Sequence, residues 1–255
     1  MNGNEKKRIL SGKAALAIAA LALGAAATSA QASTLVTNGS FESISNGSGG
    51  VGEFDSSTYT TVTGWTSSGY NFIFTPGSAD TTGVQGSYGK LELWGPNNGS
   101  ANGLPATSPD GGNYVAADGA FQIGAIQQTI SGLVIGDTYT VGFWWAGAQQ
   151  SGYDGTNTEQ WQVTLGSQTQ ATAVAPNANH GFTGWMYQTF NYTATGTSEV
   201  LSFLAVGTPN GEPPFSLLDG VSVNMYTVPE PGTMSLLFSG LGLVVLGLFR
   251  TRKRK

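Results

Sequence analysis

Between residues 33 and 227, no stretch of ten residues carries the i, i+3, i+4 apolar spacing of an amphipathic helix. Short runs rich in Val, Thr, Tyr, Phe and Trp recur instead, each closed off by Gly, Asn, Asp or Pro. Such a chain can bury alternate residues of pleated strands, but it has no helical stripe to bury. Residues 138–145 form the clearest run, with Tyr139, Val141, Phe143 and Trp145 on one face and Thr140, Gly142 and Trp144 on the other. Further runs fall at 126–130, 161–165, 186–193, 199–206 and 217–225, and at 70–75, 91–94 and 114–117. Many short strands with turn signals between them predict an all-β, antiparallel β-sandwich, with a jelly roll as the leading topology. The Gly/Ser/Asn segments at 45–52 and 95–111 are long for hairpin turns, and loops of that length are commonly functional or disordered.

The two ends are of a different kind. Lys6, Lys7, Arg8 and Lys13 precede an apolar stretch over 14–27 and the small-x-small triplet Ala30-Gln31-Ala32, the layout of a secretory signal peptide over 1–32. At the other end, 17 uncharged residues (233–249) could span about 26 Å as a helix, near the lower limit for a hydrocarbon core. Pro229 and Pro231 separate this span from what precedes it, and five of the last six residues are Lys or Arg. The segmentation expected is a signal peptide (1–32), one β-sandwich domain (33–227) and a membrane-directed tail (228–255).

Removing both ends leaves Lys90 as the single basic residue of 33–227, against thirteen Asp and Glu, a net charge of −12. That balance excludes nucleic-acid binding, which needs clustered Lys and Arg. It also disfavours anionic polymers, and it is compatible with neutral glycans and divalent cations. There is no cysteine, so no disulfide supports the fold.

The order Val228-Pro229-Glu230-Pro231-Gly232, apolar span, basic cluster resembles the PEP-CTERM sorting signal of Gram-negative bacteria. The resemblance implies export, transient anchoring of the C-terminal helix in the membrane, and processing by an exosortase, often in cells that make extracellular polysaccharide. A second resemblance lies in the middle of the chain. Asn38-Gly39-Ser40-Phe41-Glu42, Gly64-Trp65, Gln128-Thr129-Ile130, Gly136-Asp137-Thr138-Tyr139-Thr140-Val141-Gly142-Phe143 and Leu218-Asp219-Gly220-Val221-Ser222-Val223 together resemble the galactose-binding-domain-like jelly rolls, carbohydrate-binding modules among them. This implies a sandwich of about nine strands and, commonly, glycan binding. It also implies a structural Ca²⁺ tying first strand to last through Glu42 and Asp219. Many relatives carry two consecutive acidic residues where Asp219 is followed by Gly220.

Catalysis has little support. His180 is the one histidine, in a polar stretch, and with no cysteine neither a Cys-His nucleophile nor a His-rich zinc site can be built. Sugar binding would need aromatic platforms, because pyranose C–H faces pack against rings. Trp144 stands out by alternation, opposite the face of Tyr139, Val141, Phe143 and Trp145, since both faces of one strand cannot face one inter-sheet core. Trp94 and Tyr153 adjoin Gly/Asn-rich loops; Gln149, Gln150 and Asn157 are polar partners within reach in sequence. The expectation is therefore a non-enzymatic cell-surface or extracellular-matrix protein that binds neutral polysaccharide in a biofilm setting. The alternative is a structural or adhesion component making protein–protein contacts without sugar.

Overall fold

The computed structural model describes residues 34–54 and 57–226. The expected signal peptide, the Val228–Pro231 motif, the span 233–249 and the basic tail lie outside the described residues. Among the described residues no helix is long and apolar enough to cross a membrane.

Fifteen strands account for the regular structure of these residues. They are β1 (Ile44–Asn46), β2 (Thr60–Val62), β3 (Thr66–Ser67), β4 (Asn71–Phe74), β5 (Val84–Gly86), β6 (Gly89–Leu91), β7 (Tyr114–Asp118) and β8 (Ile126–Ser131). The remainder are β9 (Thr138–Gln149), β10 (Asn157–Leu165), β11 (Gln168–Ala171), β12 (Ala175–Asn177), β13 (Met186–Thr193), β14 (Ser198–Thr208) and β15 (Pro214–Met225). One sheet runs β13-β9-β15-β7-β4; the other runs β11-β10-β14-β8-β3, with β12 also beside β10. Two small hairpin-like pairs, β1-β2 and β5-β6, stand apart. From β7 onward each long strand crosses to the opposite sheet, so sequence neighbours face one another across the core. The all-β antiparallel sandwich expected from the sequence is what forms.

Two apolar layers hold it together. The first lies between the sheets and joins Tyr139, Val141, Phe143 and Trp145 of β9 to Trp161 and Val163 of β10 and Leu201 and Phe203 of β14. Phe203 meets Phe143 edge-on at 5.1 Å and Trp161 at 5.9 Å, and the Trp161 indole donates to the Leu217 carbonyl at 3.0 Å. The second layer covers much of the outer face of the five-stranded sheet. Phe72, Phe74, Ala116, Ala146, Ala148, Phe215 and Leu217 are buried there beneath Val84, Leu91, Leu93 and Leu104.

This second layer limits which part of β9 stays accessible. The outer face of β9 is half-buried at Thr138, Thr140 and Trp144, whereas Ala146 and Ala148 lie under the covering segment. It also gives the long 95–111 segment a structural role: Leu104 is buried in the layer, while the Asn98 and Asn102 amides donate to the Leu93 and Trp94 carbonyls at 2.8 Å.

At the far end of β15 the pairing with β9 shifts register between Asp219 and Ser222, a bulge that places Gly220 at a φ of 59°. Beyond the bulge the N-terminal segment lies beside β15: Val221 N donates to Gly39 O and Leu35 N to Val223 O, both at 2.9 Å.

Candidate functional site

Beside the second layer, where β7 ends and β15 begins, loops converge on a cleft of about 260 Å³. Tyr70 forms its buried wall, and three rings pack mutually edge-to-face: Tyr70 with Phe121 at 5.4 Å, Tyr70 with Tyr88 at 5.7 Å, Tyr88 with Phe121 at 5.3 Å. Tyr88 sits in the Ser87-Tyr88 turn between β5 and β6, where it is 63% exposed. The hairpin is fixed by Ser87 N donating to Glu53 Oε2 at 2.7 Å and the Tyr59 hydroxyl donating to Gly86 O. Tyr153, 41% exposed, and Gln150 line the cleft together with Asn210 and Pro213.

Asp118 is the one carboxylate among the lining residues. Its Oδ1 accepts the Ala120 and Phe121 amides at 2.8 and 2.9 Å, which fixes the turn carrying Phe121. Burial pushes its carboxyl up to about 6, against the lowering effect of those two amides. Tyr70 is raised to about 12, by burial first and then by the neighbouring Glu53 and Asp118 charges. Lys90 also lines the cleft and is paired with Glu92 at 2.5 Å.

The four residues expected to bind ligand do not form one site. Tyr153 lines the cleft, and Trp94 braces it from behind by donating from its indole to the Tyr153 carbonyl at 2.9 Å. Trp94 is itself stacked on His180 at 3.9 Å, and His180 Nε2 meets Asp154 Oδ1 at 2.6 Å. Gln149 is fully buried; its amide donates to Gly155 O and accepts from His180 N, so it holds loops and has no polar atom left for a ligand. Asn157 is likewise buried, and Gln150 is the polar residue of that group that reaches the cleft. Trp144 lies on β9 six residues before Gln150, about 20 Å in extended chain. There it packs on the exposed Tyr187 at 5.1 Å, and the two rings form a separate, open platform.

Tyr70, Tyr88, Asp118 and Phe121 were not anticipated. Tyr88 alone carried a local signal, an aromatic ring in a turn between Gly86 and Gly89.

Glu42 and Asp219, by contrast, converge on the β15 bulge. Asp219 is buried, its Oδ2 accepts from the Ser108 hydroxyl, and its Oδ1 has no hydrogen-bond partner. Burial pushes its carboxyl up to about 8, opposed by hydrogen bonds from Ser108 and the Gly220 amide and aided by the Asp110 and Glu42 charges. Glu42 accepts the Asn113 amide at 2.6 Å, and Asp110 lies close over Gly220. Among the described residues no three His, Cys, Asp or Glu side chains form a ready metal cage. The Asp219 oxygen is left orphaned there, with the Asp110 and Glu42 charges nearby.

Comparison with known proteins supplies three findings. No curated protein sequence matches this chain. Several solved β-sandwiches resemble it in outline. They include TmCBM61 in complex with β-1,4-galactotriose (14% identity, 76% of this chain and 99% of that one, TM-score 0.42). The CBM22-1 xylan-binding domain of Paenibacillus barcinonensis Xyn10C (11%, 78% and 97%, 0.36) and a CBM4 structure (19%, 75% and 99%, 0.32) are similar in the same way. At these values the likeness is one of outline, and the question of a ligand turns on this chain's own side chains. The C-terminus is matched by sequence: residues 227–255 are a PEP-CTERM protein-sorting motif, which marks an exported protein that is sorted and anchored at the cell envelope.

Proposed function

We propose that the sandwich binds a neutral polysaccharide at the cell surface or in the surrounding matrix, seating a sugar ring among Tyr70, Tyr88, Phe121 and Tyr153. The observation that carries this reading is the cleft: four aromatic side chains from separate segments, with Asp118, Gln150 and Asn210 among them as hydrogen-bonding groups. Apolar and aromatic walls with a few placed polar groups are what small-ligand sites consist of. Lys90, the one basic residue between Ser33 and Thr227, is engaged by Glu92, which favours an uncharged ligand. The role is binding without catalysis, since glycoside hydrolysis takes a pair of carboxyl groups and the cleft is lined by Asp118 alone. The jelly-roll, galactose-binding-like assignment, a Ca²⁺ at Glu42, Asp110 and Asp219, and exosortase processing at Val228–Pro231 with the 233–249 span in the membrane belong to the same reading.

A glycan array probed with the full-length chain tests it. Signal on neutral glycans, lost in Tyr88→Ala, is expected. A blank array from folded protein would overturn the sugar reading and favour an adhesion component. For the cation, 1 mM Ca²⁺ should raise the melting temperature above an EDTA control, and no rise would remove it.

A further inference from the structure

We propose a second cation site, separate from the β15 bulge. Glu159, Asn157 and Asn177 hold a hard, oxygen-seeking cation at the floor of the groove between residues 100–102 and 176–183.

The starting observation is a carboxylate in an improbable place. Glu159 is fully buried on the inner face of β10, and its Oε2 has no hydrogen-bond partner. Its other oxygen receives a single long bond, 3.4 Å from the Asn177 amide. Two residues away on the same face, Asn157 is 2% exposed and its Oδ1 is also without a partner. Asn177 stands directly opposite Asn157 in β12, so the three side chains share one patch.

An isolated buried carboxylate is destabilising by several kcal/mol unless something compensates it. This chain cannot do so itself. Between residues 34 and 226 there is no arginine, and the one lysine is paired with Glu92 on the other sheet's cover. His180 is committed to Asp154. Protonation removes the charge but adds no hydrogen bond to the Asn157 oxygen, which stays orphaned. A cation lying between the two orphaned oxygens would satisfy both, and an all-oxygen donor set selects hard ions such as Ca²⁺ or Na⁺.

The carboxylate packs closely on one side and nears solvent through Asn177 on the other. Gly147 lies against Glu159 Oε2, and a Cβ there would collide with it. Asn177, Gly181 and Thr183 line an open groove of about 510 Å³, and Glu159 and Asn157 lie behind Asn177, outside that lining. The inference is independent of the sugar reading.

The test uses the full-length Asp219→Asn chain, in which the bulge site is disabled. After chelation, Ca²⁺ or Na⁺ (against N-methylglucamine) is added while melting is followed, and bound ions are counted by equilibrium dialysis. One bound ion per chain and a rise of about 5 °C are expected, and adding Glu159→Gln should abolish both. A response to Ca²⁺ alone would assign a divalent site and a response to Na⁺ a monovalent one. No bound ion in the Asp219→Asn chain, or equal binding after Glu159→Gln, would overturn the proposal. If the double variant does not fold, the ion count on Asp219→Asn alone decides.

Discussion

The two sheets of this sandwich are built on different plans. The six-stranded sheet buries one face: in β8, Ile126, Gln128 and Ile130 point inward while Gln127, Thr129 and Ser131 face water, and β10 and β14 alternate in the same way. Its outer face carries Thr, Ser and Gln with some aliphatic residues, and hydroxyl pairs such as Thr164–Thr169 and Thr158–Thr208 bridge neighbouring strands. The five-stranded sheet is buried on both faces over much of its area, so that all of Asn71–Phe74 and Tyr114–Asp118 are sequestered. The difference shows where function can be built. Covering an outer face brings loops over the sheet, and where those loops meet they leave an aromatic cleft that a bare face would not have.

If the second layer is a core and not a loosely lying cover, Phe215→Ala should be as damaging as Phe203→Ala between the sheets. Each is expected to lose about 3–5 kcal/mol in urea denaturation. A loss under about 1 kcal/mol for Phe215→Ala would mean that the layer contributes little.

Protonation separates the regions next. Glu159, Asp219 and Asp118 are raised to about 9, 8 and 6, so the native state holds protons that the unfolded chain releases. Their stabilisation is complete below about pH 4 and is lost as the pH rises through about 9. In chelated protein the melting temperature should fall steadily from pH 5 to 9, by an amount equivalent to a few kcal/mol. Glu159→Gln should flatten the upper part of that fall and Asp118→Asn the lower. A melting temperature that rises with pH would contradict these assignments.

At the bulge, Gly220→Ala places a Cβ at a φ of 59° and 3.0 Å from Trp144, with an expected loss of about 1–3 kcal/mol. The smallest effect belongs to the wet face. Ser202→Ala, on the outer face of β14, should change stability by less than about 0.5 kcal/mol.

The same contrast explains what could be read from sequence. Strands with one wet face keep a period of two, and β8, β10, β13 and β14 fall within a few residues of the runs seen in the sequence. β4 and β7 lack that period because a second layer covers them, and β9 runs four residues past Trp145 for the same reason. Glu42 and Asp219, taken from short motifs far apart in the sequence, lie near enough for their charges to interact, whereas Asp110 came from a loop with no motif. Trp94 and Tyr153 were marked by adjoining Gly/Asn loops, and they do adjoin one another. The rest of the cleft was illegible because its lining comes from five separate stretches between Tyr70 and Pro213. No local spacing records that convergence.

Trp144 and Tyr88 put the central claim to the sharpest test, since one stands on the open platform and the other in the covered cleft. Using a neutral oligosaccharide identified on the array, affinity is measured by calorimetry for the wild-type chain, Tyr88→Ala and Trp144→Ala. The expected result is a loss of at least about tenfold, 1.4 kcal/mol, for Tyr88→Ala and unchanged affinity for Trp144→Ala. Unchanged affinity for Tyr88→Ala with loss for Trp144→Ala would place the sugar on the open platform and contradict the cleft.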